Sequence, residues 1–145
     1  MTYGPYKATV VNIHDGDTIG VDIVLVPSRM HRAYPDVDLG FNVHSVDHEG
    51  IVLERQSVRL FGCNAPELAT PAGKDALAYL ETILHVGDVV TLVSHGWDKF
   101  GGRIDGQITL ADGRDVAQVM IAAGQAAPWD GHGVKPVPAG PPPPA

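Results

Sequence analysis

The chain has 145 residues, 44% of them hydrophobic and 19% charged, the size and make-up of one globular domain with its own core. Against 10 Lys and Arg stand 17 Asp and Glu, a formal net charge of −7, which works against holding a polyanion and predicts weak, distributive binding of nucleic acid. No apolar run reaches the length of a membrane span, the single cysteine excludes an internal disulfide, and no basic segment followed by an apolar stretch opens the sequence. These features predict a cytoplasmic, monomeric protein that does not enter a membrane; secretion of a mature form stays open.

Residues 6–13 are rich in β-branched side chains and predict a strand. Asp15-Gly16 predicts a tight turn, and residues 18–26 a returning strand in which Ile19, Val21, Ile23 and Leu25 alternate. The Pro-bounded stretch 27–35 predicts an inserted loop. Val37, Leu39, Phe41 and Val43 alternate with polar residues as a further half-buried strand, and residues 51–61 as its partner. Loop and hairpin together make 27–50 an enlarged connection ahead of the third core strand. His44, Asp47 and His48 cluster there and read as solvated hairpin residues rather than metal ligands.

Thr70-Pro71 is a helix start, a capping hydroxyl followed by proline at the first helical position. Ala76, Leu77, Leu80, Ile83 and Leu84 form its apolar stripe, and Gly87 predicts its end. Residues 88–94 and 103–110 predict two strands joined by a Gly-rich loop. Asp115 with Gln118 resembles a capping box, opening a short helix that Gly124 ends. The domain is expected to span 1–131, and the Pro-rich stretch 132–145 to be a disordered tail. Strands, a helix, two more strands and a terminal helix fit a five-stranded β-barrel with helices packed on it.

Three stretches carry the chemistry. Asp15-Gly16-Asp17-Thr18 sets a carboxylate on a tight turn. Arg59-Leu60-Phe61-Gly62-Cys63-Asn64-Ala65-Pro66-Glu67 places a guanidinium at a strand end, with an amide and a carboxylate just beyond. Asp98-Lys99-Phe100-Gly101-Gly102-Arg103 puts a second arginine on a Gly-rich loop. Carboxylate and amide oxygens suit a hard cation, and guanidinium forks suit phosphate. No Cys/His spacing suggests zinc.

In this order the three stretches resemble the staphylococcal nuclease-like (thermonuclease) family, over residues 6–130 less the insertion. The resemblance implies an OB-fold and a Ca²⁺-dependent phosphodiesterase, an endonuclease acting on single-stranded or flexible DNA or RNA and leaving 3′-phosphate ends. It implies metal ligation by Asp17, Asn64 and the carbonyl of Ala65. Arg59 and Arg103 would grip the phosphate, Glu67 would direct the attacking water, and Lys99 and Phe100 would line the nucleotide. Two departures stand out. Asn64 occupies a position where the family pattern often has an acid, and two glycines rather than one precede Arg103. Phe100, Trp97 and Trp129 are candidates to stack a base. The alternative is an OB-fold module that binds nucleic acid or protein and has lost turnover; the complete set Asp17, Arg59, Glu67 and Arg103 favours the enzyme.

Overall fold

Alternation along the strands builds the wall of a barrel. The computed structural model describes residues 1–27, 37–38, 43–46, 50–99, 101–138 and 140. Strand β1 (Tyr3–Asp15) pairs antiparallel with β2 (Thr18–Pro27), and β2 pairs antiparallel with β5 (Gly50–Leu60). β5 runs parallel to β8 (Ile104–Thr109), which pairs antiparallel with β7 (Val89–Trp97), and β7 closes the ring on β1. Five strands thus form a closed mixed barrel, consistent with an OB-like barrel and free of open edges around the ring.

Side chains of one parity fill it. Ile19, Val21, Val58, Leu60, Leu92 and Ile108 are all buried, whereas Leu25, near the end of β2, is 39% exposed. Helix α1 (Pro71–Ile83) adds Ala76 and Leu80 to the core, and α2 (Val116–Ala122) adds Val116 and Met120. Thr70 caps α1, its Oγ1 accepting the Gly73 N–H at 3.0 Å, and Asp115 caps α2 by accepting the Gln118 N–H at 3.2 Å. No helix among the described residues is long and apolar enough to cross a membrane.

Three sequence expectations change. α1 ends at Ile83, because Leu84 turns extended (φ −136°, ψ 131°) and buries its side chain in the core, so tertiary packing stops the helix before Gly87 does. Val37 and Val43 do not belong to one strand. β3 (Val37–Asp38) and β4 (Val43–Val46) pair antiparallel with each other, and β4 continues onto β5. Strand β1 also begins earlier than expected, Tyr3 pairing with Ser94. Leu39, Phe41, Asp47 and His48 lie outside the described residues. A further two-residue ladder, β6 (Cys63–Asn64) with β9 (Ala127–Pro128), ties the loop after β5 to the chain after α2.

Candidate active site

The β1–β2 turn, the end of β5 and the loop after it meet at one place. Thr18 is in register with Arg59, and the Leu60 N–H donates to the Asp17 carbonyl at 2.8 Å. Gly16 permits this approach: a Cβ there would lie 2.8 Å from the Cβ of Ala76 and 2.9 Å from that of Ala65. The Asp15 carboxylate accepts the Asp17 N–H at 3.0 Å and shapes the turn.

Asp17 is buried. Its Oδ2 accepts the Ala65 N–H at 2.9 Å and lies 3.5 Å from Arg59 Nη2, while its Oδ1 accepts the Thr18 hydroxyl at 3.2 Å. The same Arg59 Nη2 donates to Asn64 Oδ1 at 3.0 Å. One nitrogen therefore serves the oxygens of both side chains expected to ligate a cation. Arg59 Nε and Nη1 make no hydrogen bond among the described residues, and its guanidinium carbon sits 4.8 Å from the centre of the Trp129 ring, a cation–π contact. Cys63 is fully buried, and burial pushes its thiol up to about 12, so it packs as a small apolar residue.

Glu67 is the exposed member. Its side chain is 77% accessible and its Oε1 lies 3.6 Å from Lys135 Nζ, a surface pair that water weakens. Asn64, Ala65 and Glu67 line a cavity of about 560 Å³ together with Gln125, Lys135 and Pro136. Arg103 stands further off. Its Nε donates to Asp98 Oδ2 at 2.8 Å, and its side chain is 40% exposed. The doubled glycine is absorbed locally. Gly101 and Gly102 both take positive φ (73° and 83°), the Asp98 N–H reaches the Arg103 carbonyl at 2.8 Å, and the β7–β8 register shifts between Ser94 and Trp97. Lys99 is exposed on this turn, and Phe100 lies outside the described residues.

Sequence reasoning missed Asp105. It is in register with Arg59 across the parallel β5–β8 pair, within electrostatic reach of both arginines. Burial and the charge of Asp98 push its carboxyl up, against Arg59, Arg103 and His95. Parallel pairing of distant strands leaves no sequence signal for this neighbour. Two further features accompany it. Phe61 stacks on His95 with ring centres 3.6 Å apart, and among the described residues His95 Nε2 and Asp98 Oδ1 are buried without a hydrogen-bond partner.

The carboxyl of Asp17 is raised from 3.8 to about 6, by burial above all and by Asp15, against the Ala65 N–H and Arg59. A carboxyl whose folded value lies above its unfolded one stabilises the fold while protonated and loses that contribution as pH rises from 3.8 to about 6. The protein should therefore lose up to roughly 3 kcal/mol over this window relative to Asp17→Asn, which lacks the titration. Melting curves of both forms across the window check this; identical pH slopes for the two forms would contradict it.

The donor set fits a hard cation. All the candidate ligand atoms are oxygens, and those of Asp17 and Asn64 already converge on one positively charged nitrogen. Only one carboxylate contributes charge, and among the described residues no three His, Cys, Asp or Glu side chains cluster as a metal site. Compared with protein-family models and with curated proteins, the chain matches none.

Proposed function

We propose that this chain is a Ca²⁺-dependent phosphodiesterase of the staphylococcal nuclease-like kind, with the OB-fold of that family, cleaving single-stranded or flexible DNA or RNA. The observation that carries the reading is the convergence of Asp17, Arg59, Asn64 and Ala65, with a hydrogen bond spanning 48 positions between Ala65 and Asp17. A fold without a site there has no need of a buried carboxylate, an arginine and an amide at one point. Burying them costs free energy that apolar residues would not.

Asp17, Asn64 and the Ala65 carbonyl would hold the cation, and bound Ca²⁺ would supply positive charge against the phosphate oxygens. Arg59 binds and orients the phosphate. Its Nη2 is already held by Asp17 and Asn64, its guanidinium carbon lies over the Trp129 ring, and its remaining N–H groups form a fork suited to paired oxygens. Arg103, oriented by Asp98, is the second guanidinium that neutralises charge as the nucleophile enters. Glu67, exposed and only weakly paired, accepts the proton of the attacking water.

The acidic surface and the contacts of residues 135 and 136 with Glu67 and Asn64 favour the second reading, an OB-type module without turnover. Degradation of a single-stranded oligonucleotide in millimolar-range Ca²⁺ separates the two. The phosphodiesterase cuts it and stops on chelation, whereas the module binds it and leaves it intact.

A further inference from the structure

The Pro-rich stretch touches the candidate site at three points, and each partner is a residue of the site or its support. Trp129, which faces Arg59, donates its Nε1–H to the His132 carbonyl at 2.8 Å. Glu67 meets Lys135, and Asn64 Nδ2 donates to the Pro136 carbonyl at 3.2 Å. The orientation of the Asn64 amide is fixed from both sides, because Arg59 offers only donors to Oδ1 and Pro136 offers only an acceptor to Nδ2. A carboxylate at position 64 could satisfy Arg59 but would set an oxygen against the Pro136 carbonyl.

We propose that residues 135–138 form a latched wall of the site, held by the Asn64 amide, that limits the substrate to one unpaired nucleotide unit at the scissile phosphate. The proposal rests on the phosphodiesterase reading and gives Asn64 a task that an acid could not perform. Prolines at 136 and 138 lower the entropy lost when the segment is held in place. The cavity between wall and body, about 560 Å³, is the size of a small-molecule site. A duplex could place a nucleoside in it only by pulling that nucleotide out of its stack, at a cost a single strand does not pay. Lys135, on the cavity wall, adds a cation for a flanking phosphate once Glu67 turns to the water.

Two measurements test it. A nitroxide on Val137→Cys reports motion of the wall in the full chain, where the buried Cys63 stays unlabelled. The spectrum should be motionally restricted and should sharpen when Asn64→Asp is added; an equally sharp spectrum in both forms overturns the latch. Fluorescence anisotropy in chelator, with a short single strand and a duplex of equal length, then compares the full chain with one ending at His132. Truncation should raise duplex affinity relative to single-strand affinity by about tenfold or more, a ratio that cancels the loss of the Lys135 charge. An unchanged ratio overturns the wall. Failure of the phosphodiesterase reading looks different: neither form cleaves any strand in Ca²⁺, whatever the label and the affinities show.

Discussion

Arg59→Ala is expected to lower turnover by at least about 10²–10³, and by up to roughly 10⁵ if this guanidinium carries the transition-state charge as an arginine finger does. The structure adds a second expectation. Arg59 is 12% and Asp17 10% exposed at the side chain, so the substitution leaves a buried carboxyl without its neighbouring cation and should lower the melting temperature. Loss of rate and loss of fold are separated by Arg59→Lys. Lysine restores a positive charge beside Asp17 but not the planar fork, so melting should recover while turnover stays low. Melting curves and cleavage rates of the three forms check this. A wild-type rate in folded Arg59→Lys would show that the paired hydrogen bonds of the fork are not used.

Arg103→Ala should lower turnover by about 10²–10³, and because the Asp98 side chain is 7% exposed it also leaves a buried carboxylate without its guanidinium. Asp98 then loses its partner at Oδ2 as well as lacking one at Oδ1. Asp98→Asn, which keeps the shape and removes the charge, should weaken the hold on Arg103 and lower turnover less than Arg103→Ala does. Cleavage rates of both variants measured beside the parent check the order. A near-wild-type rate for Arg103→Ala would mean that the loop with Gly101 and Gly102 holds this arginine away from the phosphate.

What could be read from the sequence is what repeats or what is local. Ile19, Val21 and Ile23 announce their burial because a strand with one face inward alternates with period two. Thr70-Pro71 announces a helix start because the capping bond spans three residues. Leu84 was not legible as a helix stop, since the force that pulls it extended is the barrel core and not its neighbours in sequence. The β6–β9 ladder is two residues long on each side, too short to leave a period. The reversal between β3 and β4 hid behind an unbroken alternation.

The site divides in the same way. Asp17, Arg59, Asn64, Ala65, Glu67 and Arg103 were picked out by motif order and resemblance. The structure joins the first four by direct contacts, leaves Glu67 on the cavity wall beside Asn64, and holds Arg103 on its own aspartate. Asp105, the Trp129 ring against Arg59 and the Pro136 carbonyl on Asn64 came only from the fold. Each is a contact between segments whose spacing carries no pattern. Composition marks 132–145 as unable to build a core, and no strand or helix forms in its described residues, but composition is silent on a single carbonyl that finds an amide.

The most direct test of the central claim is cleavage of an end-labelled single-stranded oligonucleotide by the full chain and by Arg59→Lys, purified side by side, in millimolar-range Ca²⁺ and in chelator. Fragments ending in 3′-phosphate are expected from the parent in Ca²⁺, an intact strand in chelator, and cleavage reduced by about 10² or more in the variant. A strand left intact by the parent in Ca²⁺, or cut equally well by the variant, would contradict it.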